Sequence, residues 1–308
     1  MKIYVAAGVA AALLAAGAAS SATLPDVNGP TAQMVITVRP AKGATETGQL
    51  KAGDLTVTEN NARTPVVGLE RLAGDLSDMQ LFLLLDDSAR SASLSVHFPE
   101  LKRFIENLPP STQVAVGYMR NGTFVMAQPF TTDHREAARS LRLPLGLPGE
   151  NGSPYFALGD LAKHWPAKQA SGRRAVLMLT DGVDRYYSTP DLDDPYVNAA
   201  MHDALKQGVL VYSIYLRDAG LYGRRGLVRD LGQSYLIQTG EETGGYAYFE
   251  TFTDPVDIAP FLSDFQDRLA HQYRVTIQAL NEKGVQPVKV RAEAPGLKID
   301  APTRVYVP

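Results

Sequence analysis

The residues of this chain best suited to gripping something outside it are Asp86, Asp87 and Ser88, then Thr180 and Asp181. Each group stands where a run of apolar residues stops. Carboxylates and hydroxyls are hard oxygen donors, the kind that Mg²⁺, Mn²⁺ or Ca²⁺ takes, and a pair of Asp residues can also serve acid–base chemistry. The first group follows Leu81 to Leu85, and the second follows Ala175 to Leu179. Each run reads as a strand buried on both faces. Such strands deliver polar residues to loops at their C-terminal ends, where open α/β sheets build their sites.

The elements that must position these loops alternate between strand and helix from about Met79 to Ala270, the pattern of a doubly wound, mostly parallel, Rossmann-like sheet. Phe98, Leu101, Phe104, Ile105 and Leu108 share one helical face, and Pro109-Pro110 stops that helix. Asn121-Gly122 joins two strand-like runs as a hairpin, which predicts one antiparallel edge strand. Pro154 to Trp165 reads as a helix. Asp194 with Pro195 opens another that Gly208 closes, and Val209 to Leu216 is a further buried strand. Gly226 to Thr243 and Asp257 to Gln272 read as the last helices, with Tyr246 to Phe249 as a strand between them. At the flanks, Met34–Val38 and Asp54–Glu59 alternate like strands, as do Tyr273–Leu280, Pro287–Ala294 and Leu297–Val307. Too few strands lie at either end to close a core alone, so the two ends are expected to combine into one small β subdomain. The expected division is 23–76 for the N-terminal β region, 77–271 for the central domain and 272–308 for the C-terminal strands.

Met1–Ala22 carries Lys2, a long Ala/Val/Leu stretch and the small residues Ser20-Ser21-Ala22, the form of a secretory signal peptide. The expectation is an exported chain, periplasmic or secreted, with no integral membrane span once that segment is cleaved. Its loss leaves 29 basic residues against 33 acidic, a mild balance that argues against nucleic acid or a polybasic membrane surface. Cysteine is absent, which excludes disulfides, thiolate metal sites and a catalytic thiol.

Taken in order, LFLLLDDSARS, TQVAVGYMRNGTFVMAQPFTTD, NGSPYFALGDL, AVLMLTDGVD, and GVLVYSIY followed by EETGGYAYFE resemble the strands and loops of a von Willebrand factor A domain. The flanks LKAGDLTVTENN, HQYRVTIQAL and VKVRAEAPGLKI resemble those of the exported bacterial proteins related to it, of the kind common in acidobacterial genomes. The resemblance implies a metal-ion-dependent adhesion site: an Asp-x-Ser-x-Ser loop, a Thr from a second loop and an Asp from a third. Carried over by position, Asp86 and Ser88 match the first loop and Asp181 the third. Ser153 stands where the Thr is expected, an acceptable change because the hydroxyl is what ligates. Mg²⁺, or Mn²⁺ or Ca²⁺, is the implied cofactor. The implied partner is a protein whose carboxylate completes the metal shell.

Arg90 departs from the pattern, standing at the second Ser position. A guanidinium has no acceptor and stays charged, so it cannot ligate. Either it turns outward, towards Asp87 or Glu100, leaving a degenerate site with water in the vacated position, or it takes the place of the cation on Asp86 and Asp181 in a metal-free scaffold. A shifted frame, Asp87 with Ser91, supplies the last Ser but puts Ala89 in the middle. Each loop also has a plain structural explanation, since Asp and Ser after a strand often cap helices or make turns. Tyr186 and Tyr187 follow the third loop, and with Arg90 they form a candidate rim for a partner. Packing beneath the loop explains these tyrosines equally well.

The first strand superficially resembles that of haloacid-dehalogenase phosphohydrolases, where a strand ends in Asp-x-Asp. Here the carboxylates are adjacent and point to opposite sides of an extended chain. No nucleophile elbow, phosphate-binding Gly-Lys loop or His-Glu-x-x-His helix is present. The expectation is a non-enzymatic binding or adhesion module, with the metal-free scaffold and the phosphohydrolase as alternatives.

Overall fold

The computed structural model describes residues 29–41, 50–74, 77–87, 91–146, 153–167, 172–186, 191, 193–217, 225–250, 254–280 and 282–308. The signal-type segment Met1–Ala22 lies outside them, as do Ser88, Arg90 and Tyr187.

Four strands come first: β1 (Thr31–Pro40), β2 (Leu55–Glu59), β3 (Ala62–Thr64) and β4 (Val66–Arg71). The central domain follows as β5 (Met79–Asp86), α1 (Ser91–Ser95), α2 (Phe98–Glu106), β6 (Thr112–Arg120), β7 (Thr123–Thr131), α3 (His134–Arg139) and α4 (Pro154–Lys163). It continues with β8 (Arg174–Thr180), α5 (Pro195–Lys206), β9 (Val209–Tyr215), α6 (Arg225–Thr243), β10 (Tyr246–Tyr248) and α7 (Ala259–Ala270). Then come β11 (Gln272–Gln278), β12 (Gly284–Ala292), β13 (Leu297–Asp300) and β14 (Arg304–Val307).

The central sheet runs β10-β9-β8-β5-β6-β7, parallel except for the β6–β7 hairpin. Asn121 and Gly122 turn that hairpin with positive φ at both positions (51° and 74°), the backbone that a tight two-residue connection needs. Every residue of β5 is buried, and its side chains alternate between two cores. Leu81, Leu83 and Leu85 pack with Leu101, Phe104 and Phe265 on one face. Phe82 and Leu84 pack with Leu158, Leu161 and Met201 on the other. Covering helices on both faces explain why this strand reads as an unbroken apolar run. From β5 the chain winds outward through β6 and β7, then crosses to β8 on the other side of β5. This reversal makes the crevice above β5 and β8 the topological switch point of the sheet.

The two chain ends combine, as the strand-poor flanks require. One antiparallel sheet is β13-β1-β11-β4 and the other β14-β12-β2-β3, so both mix N- and C-terminal strands. Ile36, Val57, Val275, Ile277, Val288 and Val307 share their core. The stretch Leu297–Val307, expected as one strand-like unit, divides into β13 and β14 in different sheets. Pro302 sits between them, where a residue without an amide hydrogen cannot continue a ladder.

Candidate functional site

Register places the ends of β5 and β8 side by side: Leu85 pairs with Leu179, so Asp86 stands level with Thr180. The Thr180 hydroxyl donates to Asp86 Oδ2 at 2.9 Å, joining the first and third loops. Asp86 and Asp181 are both buried, at 3% and 4% exposed. The Asp181 carboxyl is pushed up to about 6, chiefly by burial, with Arg185 opposing the rise and the nearby Asp86 charge adding to it. Two acidic groups thus share one nearly water-free rim, where a positive charge stabilises the ionised form.

That positive charge comes from the chain itself. The Arg185 guanidinium donates to Asp181 Oδ2, four residues away, while the Val183 amide donates to Oδ1 at 3.0 Å. Asp181 and Arg185 lie four residues apart in a loop and not on a helix, so their spacing in the sequence carries no signal for this pair.

Ser153 supplies the second loop. It is fully buried at the N-cap of α4, and its Oγ accepts the Tyr155 amide at 3.2 Å, with Pro154 in the first helical position. The plain explanation of this serine as a cap therefore applies, and a hydroxyl with two lone pairs keeps one acceptor position beyond the cap. Tyr155, fully buried, sends its hydroxyl to the Gly182 carbonyl at 2.9 Å and ties the second loop to the third. Replacing Ser153 with alanine is expected to cost about 1 kcal/mol of stability, read as a shift in denaturant midpoint. No shift would show that the cap does not hold this helix.

Asp87 has a different task. It is 1% exposed and receives the Arg142 guanidinium at 2.7 and 3.3 Å and the Leu145 amide at 3.0 Å, while its own carbonyl accepts the Gly146 amide. Arg142 also lies 3.8 Å over the Tyr118 ring. The carboxylate expected to attract Arg90 is thus engaged by Arg142, 55 residues along the chain, and the frame built on Asp87 has lost its ligand to a structural clamp. Nothing local in the sequence marks that pairing. The adjacent carboxylates do serve opposite sides, Asp86 facing Thr180 and Asp87 facing Arg142.

The structure therefore brings Asp86 and Asp181 together, with Ser153 joined to them through Tyr155 and Gly182. Ser88, Arg90 and Tyr187 fall outside the described residues. Among the described residues no group of three or more His, Cys, Asp or Glu side chains is arranged to hold a metal. The donors at hand are two carboxylates and the hydroxyls of Thr180 and Ser153, which fit a hard divalent cation in type. Such a cation has to displace Arg185 from Asp181. Tyr186, 64% exposed, stands at the rim and packs edge-on to Phe156, with ring centroids 4.8 Å apart.

No protein-family model matches the chain, and no curated protein matches it. Among solved structures it is similar to an aerotolerance-related membrane protein from Bacteroides fragilis carrying multiple mutations to serine, at 15% identity over 62% of this chain and 98% of that one, with a TM-score of 0.41. It is also similar to the conserved hypothetical protein BatB from Bacteroides thetaiotaomicron, at 16% identity over 62% and 98% with a TM-score of 0.42. Proximal thread matrix protein 1 from the mussel byssus is similar at 14% identity over 63% and 48%, with a TM-score of 0.44. No helix among the described residues is long and apolar enough to cross a membrane. The central sheet, with its mostly parallel order and single antiparallel edge strand, has the Rossmann-like arrangement that the resemblance to von Willebrand factor A domains implies.

Proposed function

We propose that this chain is an exported, non-enzymatic binding module of the von Willebrand factor A type, whose switch-point rim engages a protein partner with the help of a divalent cation. The observation that carries this reading is the meeting of Asp86, Thr180 and Asp181, all buried, at the ends of two adjacent parallel strands, with Arg185 on Asp181. Asp86 and Asp181, with the hydroxyls of Thr180, Ser153 and Ser88, are the residues that would hold Mg²⁺ or Mn²⁺. A cation held by few charges stays under-neutralised, which suits it to a carboxylate from a partner. The signal-type segment supports export to the periplasm or exterior.

The ion pair of Arg185 with Asp181 favours a second reading, a metal-free scaffold in which Arg185, not Arg90, is the built-in cation. Calorimetric titration of the whole chain with Mg²⁺ and Mn²⁺ separates the two. The metal-assisted reading expects binding that Asp181→Ala abolishes and Arg185→Gln tightens by roughly tenfold, since the arginine no longer competes for a buried carboxylate. Heat from Arg185→Gln alone selects the built-in cation, and silence from both chains removes the metal. Asp86-dependent hydrolysis of a generic phosphate ester would overturn the non-enzymatic assignment in favour of a phosphohydrolase.

A further inference from the structure

Beside the rim, a groove of about 490 Å³ runs between α4 and α5, with the Asn121-Gly122 turn also lining it. One wall is aromatic. Phe156, Tyr186 and Tyr196 meet edge-to-face, with interplanar angles of 72°, 72° and 81°, and Tyr186 and Tyr196 stay 64% and 37% exposed. The other wall is acidic. Asp160 accepts the Thr123 hydroxyl and faces His164 at 2.9 Å, and Asp203 faces Lys163 at 3.0 Å. Gly159 brings the helices close enough for Asp203 to reach over α4: a Cβ there would lie 3.4 Å from Asp203 Oδ2.

The two walls ask for one kind of occupant. Tyr186 and Tyr196 are partly open to water, and an aromatic ring open to water attracts a cation, a planar guanidinium above all, which can stack on it while forking onto a carboxylate. The groove carries two carboxylates against one lysine, so it has charge to spare for a visitor, with His164 adding a positive charge only when protonated. Lys163 is 57% exposed, and an ion pair so open to water is weak enough to be exchanged.

We propose that this groove receives an arginine side chain of the protein partner, its guanidinium stacking on the Phe156, Tyr186 and Tyr196 cluster and replacing Lys163 at Asp203. This rests on the reading of the rim as a partner surface and names a chemistry for that partner. It needs no metal, so its failure is distinguishable from failure of the titration above.

N-acetyl-arginine methylamide is the probe, added to the full chain and followed by shifts of the Gly122 and Gly159 amide signals. Saturable shifts are expected from the arginine probe and none from its uncharged citrulline analogue. Lys163→Met should tighten binding about threefold and Asp203→Asn weaken it about threefold or more, and both effects should be the same with and without added Mg²⁺. Absence of saturation in both the parent and Lys163→Met overturns the proposal. So does equal response to citrulline, or indifference to Asp203→Asn.

Discussion

Gly182→Ala is expected to destabilise the protein by about 3 kcal/mol or more, the sum of a left-handed backbone forced on alanine and an overpacked contact. Gly182 has φ of 68°, and a Cβ there would lie 2.5 Å from the Gly232 carbonyl oxygen and 2.5 Å from Leu236 Cγ. The partner atom is backbone and cannot swing aside. The contact is reciprocal, since a Cβ on Gly232 would lie 2.3 Å from the Asp181 carbonyl oxygen. Two glycines therefore let α6 press directly against the third loop of the rim. Gly208→Ala is the control: φ there is 64°, with nothing within 4 Å of the new Cβ, so only the backbone cost of about 1 to 2 kcal/mol remains. Thermal midpoints should separate, with Gly182→Ala down by roughly 10 °C and Gly208→Ala by about half that or less. Equal losses would mean that the close approach has no energetic weight.

The second large effect is expected at Arg268. It is 3% exposed on α7, donates to Asp264 at 2.7 Å and to Asp300 at 2.8 Å, and lies 3.8 Å over the Tyr246 ring. Asp264 also receives Arg39 from β1 at 2.6 Å and the Tyr248 hydroxyl at 2.9 Å. Two arginines and two aspartates thus join the central domain to the β subdomain. Removing one charge from a buried cluster typically costs 3 to 5 kcal/mol. Asp264 and Asp300, at 35% and 25% exposed, keep some access to water, so about 2 to 3 kcal/mol is expected for Arg268→Ala. Urea unfolding reads this directly. With Asp300→Asn added, the double variant should lose less than the sum of the singles, because the partner's charge is no longer stranded. A loss below about 1 kcal/mol, or full additivity, would show that the joint is held by apolar packing instead.

The sequence by itself determined the layout of the central domain. Periodicity, the Asn121-Gly122 turn and the Asp194-Pro195 cap report local backbone preferences, and those survive into the fold. It also determined that Asp86 and Asp181 sit at strand ends, because an apolar run long enough for one strand leaves no other place for them. The tertiary structure decided who meets these carboxylates. Arg142 reaches Asp87 across 55 residues, and Thr180 reaches Asp86 across 94, through a register that no local pattern encodes. The division of 297–307 between two sheets was likewise hidden, since a strand's alternation names its buried face and not the sheet it joins. Ser153 was legible as a hydroxyl at the head of a helix. Its link to the third loop, made by the Tyr155 hydroxyl on the Gly182 carbonyl, exists only once α4 has packed beside the end of β8.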